Sequence, residues 1–139
     1  MTMLAIENLQ AWYGESHVLH GVSFHVEQGE LVTLLGRNGA GKTTTLRAVM
    51  GMMDRRTGSI RLAGTETIGL PAHRIPRLGI GYCPEERAVF RSLTVTENLM
   101  LPPQIGEGGL SREVIYALFP NLIERARSSG GNLSGGEQQ

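Results

Sequence analysis

The feature that most constrains this chain is a loop of the pattern G-x-x-x-x-G-K-[ST], which runs from Gly36 to Thr43. The apolar run before it, residues 31–35, is rich in strand formers and predicts a parallel strand buried on both faces. Residues 42–50 contain no helix breaker and place their apolar side chains at helical spacing before Gly51, so they predict a helix. A strand, a glycine-rich loop and a helix in this order are the setting in which such a loop binds phosphate groups.

The chemistry of this loop follows from its backbone. Glycines let the loop curl until successive N–H groups point inward, and the start of the helix adds about half a positive charge at the same place. Lys42, the only lysine in the chain, then reaches the terminal phosphates, and the Thr43 hydroxyl is placed to hold Mg²⁺. The pattern predicts a nucleoside triphosphate site; the alternative is a flexible turn that matches by chance, which the two flanking elements argue against. The predicted nucleotide-binding residues of the loop are Gly36, Asn38, Gly39, Ala40, Gly41, Lys42, Thr43 and Thr44.

A second glycine cluster lies in LSGGEQQ, residues 133–139. Ser134 stands where a helix N-cap is expected, and Glu137 follows at the spacing of a capping box. The Ser134 hydroxyl and the amides of Gly135 and Gly136 would also form an anion-binding surface at a helix start. A capped helix start is the simpler explanation of the spacing, and the residues alone leave both open.

LSGGEQQ resembles the signature motif of the ATP-binding cassette (ABC) ATPases, and a phosphate loop upstream of it is the arrangement of that family. Tyr13, in AWYGES, is similar to the aromatic residue that the family stacks on adenine, a role that suits an aromatic ring; the alternative is an ordinary half-buried strand residue. Residues 58–64 alternate like a strand and resemble the family's antiparallel layer. The resemblance implies an α/β P-loop NTPase fold: a nucleotide-binding core with the antiparallel β layer in residues 1–92, and a partial helical subdomain in residues 93–139.

GYCPE, residues 81–85, resembles the segment that ends the family's next core strand and leads into the helical subdomain. Most family members have glutamine after this proline, where its amide contacts Mg²⁺ and the attacking water, whereas this chain has Glu85. A carboxylate binds Mg²⁺ at least as well as an amide, so the resemblance implies Glu85 as a metal ligand beside Thr43. It further implies catalytic roles for Lys42, Glu85 and Ser134. The alternative for Glu85 is a solvated loop carboxylate.

Two capped helices are predicted between these motifs. Thr94 and Glu97 form a capping box, and residues 111–118 carry apolar side chains on one side before Pro120. Both fit the helical subdomain that the family sets against a membrane partner, while residues 102–109, with two prolines and three glycines, predict a loop. The glutamate after the proline, together with LTVTENL and LFPNLIERAR, is similar to the ATPases that drive branched-chain amino acid uptake.

The chain lacks a part that hydrolysis in this fold class requires, an aspartate at the end of a buried strand beside a second carboxylate. Asp54, the only aspartate, follows no apolar strand, and in the family the required Walker B strand comes after the signature helix. We therefore expect the chain, which ends at Gln139, to be the first part of a longer polypeptide with an incomplete core sheet. On its own, we expect it to be inactive in hydrolysis and either marginally stable or oligomeric, since residues 31–35 would lack neighbouring strands.

Composition argues against several other classes of protein. The 13 basic and 13 acidic side chains cancel and form no basic run, so no nucleic-acid partner is expected. The single cysteine, Cys83, cannot close an internal disulfide, which favours a reducing compartment. A signal peptide and an apolar run of about 18 residues are both absent from the sequence, so we expect a cytoplasmic protein.

Two further groups of side chains, three histidines and two pairs of arginines, are considered as a metal site and as a binding surface. His17, His20 and His25 lack the spacing of a paired helical metal site, and His25 is predicted to point to solvent. The arginine pairs at 55–56 and 74–77 are predicted to be solvated loop charges, although contact with a partner protein remains open.

The family resemblance implies an ATP-binding subunit of an ABC transporter that couples ATP binding and hydrolysis to transport, with ATP and Mg²⁺ as cofactors. Two such subunits, identical or different, would sandwich ATP, with Lys42 and Thr43 of one facing Ser134 and Gly136 of the other. Transmembrane permease subunits would be the partners that hold the protein on the inner face of the cell membrane. Two alternatives stay open: a non-transport ABC ATPase of DNA repair or translation, and a truncated nucleotide-binding or interaction module that never hydrolyses.

Overall fold

The computed structural model describes residues 1–106 and 108–139, which form two compact units, Met1–Ile80 and Gly81–Gln139. The units are described separately below. The predicted boundary after residue 92 refers to the subdomains of the resembling family, and it stays a prediction.

The first unit is an antiparallel sheet with one helix packed on it. In chain order its strands and helix are β1 Thr2–Tyr13, β2 Ser16–Glu27, α1 Lys42–Val49, β3 Arg55–Leu62 and β4 Thr65–Glu66. The strands lie in the order β2-β1-β3-β4, and every neighbouring pair is antiparallel. Gly14 and Glu15 form the two-residue turn between β1 and β2, a length typical of tight hairpins. The antiparallel layer is therefore confirmed, with the strand predicted at 58–64 placed at 55–62.

The hydrophobic core lies between one face of this sheet and α1. Along β1, alternation places Leu9 and Ala11 on the buried face and Trp12 on the opposite face. A bulge at Glu7 and Asn8 interrupts the register of β1 with both of its neighbours. The buried cluster comprises Ile6, Leu9, Ala11, Leu19, Ala48, Val49, Met53 and Ile60.

The helix predicted over residues 42–50 is confirmed as α1. Its buried side chains are Thr45, Ala48 and Val49, which lie three or four positions apart along the helix and therefore on one side of it. The helix begins with Lys42 and Thr43, the last two residues of the phosphate loop, so packing of this buried face fixes the position of the loop.

The prediction that residues 55–56 are solvated loop charges is wrong for Arg56, which lies in β3. Its guanidinium is partly buried and donates hydrogen bonds to three carbonyl oxygens, those of Ala48 at 2.6 Å, Thr67 at 2.9 Å and Leu70 at 3.0 Å. Burial lowers the pKa of Arg56 from its usual value, and the carboxylate of Glu66 opposes that shift. The alternation of β3 explains the error, because Arg56 pairs with Ala11 on the core side of the sheet. Arg56 thereby holds the C-terminal end of α1 to the segment after β4.

Replacing Arg56 should destabilise the first unit. Arg56→Met removes the partner of three carbonyls, two of them in the partly buried segment after β4, and should lower the free energy of unfolding by about 3 kcal/mol. Urea denaturation of the intact protein, followed by circular dichroism, measures this. Arg61→Met is the matched control, because the Arg61 ion pairs with Glu7 and Glu66 are exposed, with N···O distances of 3.8 Å. The control should lose less than about 1 kcal/mol, and equal losses would contradict the role given to Arg56.

Residues 31–35 also differ from the prediction, since they do not form a strand. Leu31 is 94% exposed and Leu35 is 84% exposed. A parallel strand requires a hydrogen-bonded neighbour, and the described part of the chain contains no parallel pair to supply one. Residues 81–84, which were predicted to end a further core strand, are likewise irregular. The core sheet is therefore incomplete, as the sequence predicts, and the two segments assigned to it lack regular structure.

The second unit is helical. Its helices are α2 Val95–Met100, α3 Arg112–Leu118, α4 Asn121–Glu124 and α5 Gly135–Gln138. The capping box of Thr94 and Glu97 is confirmed at the start of α2, and Ser111 caps α3. The predicted loop at 102–109 includes Glu107, which lies outside the described residues. Each helix in the described ranges is too short to cross a membrane.

One asparagine organises the segment that precedes α2. The Asn98 amide accepts a hydrogen bond from the Phe90 N–H at 2.9 Å and donates to the carbonyls of Phe90, Leu93 and Thr94. The N–H groups of Val95 and Thr96 bond to the carbonyls of Ser128 and Ala126, respectively. These bonds join the start of α2 to the segment that leads into the second glycine cluster.

Candidate functional site

The phosphate loop of the first unit folds around its own lysine. The Lys42 ammonium donates to the carbonyl oxygens of Gly36 at 2.7 Å and Arg37 at 2.9 Å. The Ala40 N–H donates to the Arg37 carbonyl at 3.0 Å and closes a turn inside the loop. An ammonium has three N–H donors, so these two bonds leave one for a ligand. The loop therefore holds a positive charge at its centre, beside the start of α1.

Gly41 determines how α1 begins. Its φ of 94° is in the left-handed region that favours glycine, and it is the N-cap residue of α1. A Cβ atom at this position would lie 2.9 Å from Cδ2 of the buried Leu19, so a side chain there would force Leu19 to shift. In the described part of the chain α1 has no side-chain cap and no acidic residue in its first turn. Its first N–H groups and the positive end of its dipole are thus available to an anion.

The threonines of the first turn differ in their surroundings. Thr43 is exposed, whereas the buried Thr45 donates its hydroxyl hydrogen to the Gly41 carbonyl at 2.8 Å. Mg²⁺ in nucleotide sites keeps several waters and is held by substrate phosphates and one or two protein oxygens. The single exposed hydroxyl of Thr43 fits that pattern.

The part of the chain that the structure describes contains no metal site built from protein side chains alone. Over residues 1–106 and 108–139, no group of three or more histidine, cysteine, aspartate or glutamate side chains is placed to hold a metal ion. His17, His20 and His25 are exposed on β2, as predicted for His25.

Tyr13 is the last residue of β1 and is 41% exposed. It belongs to the same alternating set as Leu9 and Ala11, whose side chains face α1. The ring therefore lies on the face of the sheet that also carries the phosphate loop, with surface left for a flat ligand. This position suits the predicted stacking role, which stays a prediction.

The signature segment of the second unit begins α5. The Ser134 hydroxyl oxygen accepts from the Glu137 N–H at 3.4 Å, and the Glu137 carboxylate accepts from the Ser134 N–H at 2.8 Å. The capping box predicted from the spacing is thereby confirmed. The backbone N–H of Ser134 lowers the pKa of Glu137, with smaller contributions from other groups, so its carboxylate is ionised at neutral pH. The Ser134 hydroxyl is exposed at this helix start, where it is in reach of an anion.

Two side chains hold this segment in place. Gln138 donates to the carbonyls of Gly130 at 3.0 Å and Leu133 at 3.1 Å. The guanidinium of Arg87 lies against Gly135, where a Cβ atom would come within 2.8 Å of it. Arg87 thus brings a positive charge to the glycine cluster, while the Glu137 carboxylate lies 3.9 Å from Arg125 Nε.

Glu85 lies in an exposed turn of the second unit, where no hydrogen bond or ion pair involves its carboxylate among the described residues. The residues before it are tied to the end of the signature segment: Gln139 donates to Cys83 Sγ at 2.8 Å and to the Pro84 carbonyl at 3.4 Å. Glu85 and Thr43 belong to different units, so a Mg²⁺ ion shared between them stays a prediction.

The sequence predictions missed several contacts at the tip of the β1–β2 hairpin. The Asp54 carboxylate accepts a hydrogen bond from the Gly14 N–H at 3.3 Å. The Trp12 ring stacks on His17 with ring centroids 4.3 Å apart, and Arg55 Cζ lies 4.2 Å from the Trp12 ring centroid. Strand alternation in the sequence predicts that Trp12 and Tyr13 lie on opposite faces of the sheet. The partners of Trp12 are identified only by the pairing of β1 with β2 and β3.

Comparison with known proteins shows which family has a sequence similar to this chain. Residues 19–139 match the family model described as ABC transporter. The chain is 42% identical to the high-affinity branched-chain amino acid transport ATP-binding protein BraG of Pseudomonas aeruginosa over 99% of its length. It is 41% identical to the lipopolysaccharide export system ATP-binding protein LptB of Escherichia coli over 100% of its length.

The chain spans 60% of the length of both curated relatives. A solved structure of the ATP-binding subunit of an ABC transporter aligns with 99% of the chain, at a TM-score of 0.76 and 33% identity. The chain spans 58% of that structure.

Proposed function

The chain belongs to the ABC transporter family, and from this premise we propose that the intact protein is an ATP-binding subunit that couples ATP binding and hydrolysis to membrane transport. The observation that carries this proposal is the uncapped start of α1 beside the Lys42 ammonium. Both features favour a polyphosphate, because main-chain donors and one cation converge where negative charge would lie. The exposed Thr43 hydroxyl supports the binding of Mg²⁺ together with that polyphosphate.

A second subunit is part of the proposal. The signature segment offers the Ser134 hydroxyl and the exposed Gly136 at a helix start, with Arg87 nearby. We propose that these groups face the nucleotide held by Lys42 and Thr43 of another subunit, either a second copy or a related chain. The ionised Glu137 at the same helix start opposes an approaching phosphate, so we expect Arg87 to offset part of that repulsion.

Transmembrane permease subunits are the proposed membrane partners, and the second unit supplies apolar surface for them. A cavity of about 490 Å³ lies among its helices, lined mainly by apolar side chains that include Val95, Leu99, Ile115, Phe119 and Leu122. Phe119 and Ile123 are more than half exposed. Exposed apolar surface of this kind is typical of a protein contact. Binding to permeases would place the protein on the inner face of the cell membrane.

Glu85 is the proposed contact to Mg²⁺ and to the attacking water. Its carboxylate is exposed and unpaired in the described ranges, so it is free to take a metal ligand's position. Branched-chain amino acid uptake is the transport process favoured by Glu85 and by the sequences of segments 93–99 and 118–127. The similarity to BraG supports this choice, whereas the nearly equal identity to LptB supports lipopolysaccharide export as a second candidate.

Co-purification tests the proposal. The tagged intact protein, extracted from membranes in detergent, should retain membrane-spanning subunits and hydrolyse ATP. Leucine, isoleucine or valine, presented with the system's own substrate-binding protein, should raise the ATPase rate severalfold. Stimulation by lipopolysaccharide instead would select export. Retention of nucleic acid without membrane subunits would favour a DNA repair or translation ATPase, and an intact protein that binds ATP but never hydrolyses it would be the binding module.

A further inference from the structure

We infer that Asp54 and Arg55 are positioning residues for Tyr13, which they hold ready to stack on the base of the nucleotide. The inference rests on the proposed function, since it presupposes that Tyr13 contacts the base and that the phosphate loop binds the triphosphate. It goes beyond that function because neither Asp54 nor Arg55 belongs to a nucleotide-binding motif of the chain.

The two residues act on the chain on both sides of Tyr13. The Asp54 carboxylate accepts the Gly14 N–H, on the C-terminal side, at 3.3 Å. The Arg55 guanidinium packs over the ring of Trp12, on the N-terminal side, at 4.2 Å from its centroid. A cation over an indole face is the strongest pairing of its kind among the aromatic side chains. Tyr13 is thus flanked by two residues that are both held from the beginning of β3.

The Trp12 ring is also held from the other side. His17 of β2 pairs with Trp12 in the sheet, and Arg55 of β3 pairs with it on the opposite edge of β1. The His17 ring is nearly parallel to the indole, with an angle of 10° between their planes. His20 contacts His17 edge to face, with centroids 4.0 Å apart. This row of side chains lies on the outer face of the sheet and fixes the orientation of the indole.

Strand geometry carries that constraint to Tyr13. Successive side chains of a strand point to opposite faces, so a fixed Trp12 on the outer face places Tyr13 on the α1 face. Asp54 and Arg55 follow Met53, which is buried in the core beside α1. The helix that starts in the phosphate loop therefore leads, after its last turn, to the residues that hold the tip of the hairpin. The residues that contact the base and those that contact the phosphates are thereby positioned by the same hydrophobic core.

Binding of two ligands to the intact protein tests the inference: ATP, and inorganic tripolyphosphate, which has no base. Asp54→Ala should weaken ATP binding about fivefold, the value of one hydrogen bond, and leave tripolyphosphate binding unchanged. Asp54→Asn keeps an oxygen acceptor for the Gly14 N–H and should bind ATP like the wild type. Glu15→Ala, which removes an exposed carboxylate from the same turn, is the matched control and should change neither ligand.

A double-mutant cycle separates positioning from a general loss of structure. In a Tyr13→Ala background, Asp54→Ala should cause no additional loss of ATP affinity, because its effect passes through the missing ring. Hydrogen exchange of the peptide covering residues 12–17 should accelerate in Asp54→Ala and not in Glu15→Ala. Equal weakening of both ligands, an undiminished effect without Tyr13, or unchanged ATP affinity would each overturn the inference.

A second variant covers the case in which Asp54→Ala does not fold. Arg55→Gln removes the cation over Trp12 and leaves the Gly14 hydrogen bond in place, and it should also weaken ATP binding selectively. Equal weakening of ATP and tripolyphosphate by Arg55→Gln would overturn the inference. Failure of the proposed function would give a different result. In that case Lys42→Ala alone would leave the affinity for ATP unchanged.

Discussion

Lys42→Ala should weaken nucleotide binding by the intact protein at least about tenfold, since a charge-assisted hydrogen bond contributes about 1.5–3 kcal/mol and the ammonium has one donor left for the phosphates. The ammonium lies 2.7 Å from the Gly36 carbonyl and 2.9 Å from the Arg37 carbonyl, so it stands inside the loop and not beside it. Alanine removes the positive charge at the centre of the loop and also the two bonds that fold the loop around it. Isothermal titration with Mg-ATP measures the loss.

Arg47→Ala is the matched control for charge. Arg47 lies in the last turn of the same helix, at the end away from the loop, so its removal should leave nucleotide affinity within about twofold. Lys42→Arg keeps the charge but cannot reproduce a compact ammonium inside the loop, and it should recover only part of the affinity. Nucleotide affinity of Lys42→Ala within about threefold of the wild type would refute the assignment of the phosphate loop.

Local features of the structure could be predicted from the sequence. The helix after the phosphate loop forms as predicted, because its propensity and its buried stripe lie within a few turns of chain. The capping boxes at Thr94 and Ser134 were read from a spacing of three residues, and both are present. These signals need only neighbouring residues, so a single sequence contains them in full.

Features that depend on distant residues could not be predicted. Residues 31–35 have the composition of a buried parallel strand, yet a strand exists only where another strand pairs with it. Arg56 resembles a solvated charge in sequence, and only its pairing with Ala11 reveals that it faces the core. The contacts of Asp54 and Arg55 with the hairpin tip likewise join residues about 40 positions apart.

Gly58→Ala should lower the free energy of unfolding by about 3–5 kcal/mol, the sum of a left-handed backbone and an overpacked contact. Gly58 has a φ of 106°, and a Cβ atom there would lie 2.5 Å from the carbonyl oxygen of Asn8 and 2.7 Å from that of Glu7. Both contacts are with the backbone of the bulge in β1, so no side chain can turn aside to relieve them. Relief requires β1 and β3 to separate, and these strands hold the core face of the sheet together.

Gly64→Ala distinguishes the two contributions. Gly64 has a similar left-handed φ of 81°, but a Cβ atom there meets no other atom within 4 Å. Its replacement should therefore lower the free energy of unfolding by only about 1–2 kcal/mol, from backbone strain alone. Urea denaturation of the two variants and the wild type under identical conditions gives the difference. Equal losses in the two variants would mean that β1 yields to the added methyl group, and the bulge would then not fix the register of the sheet that carries Tyr13.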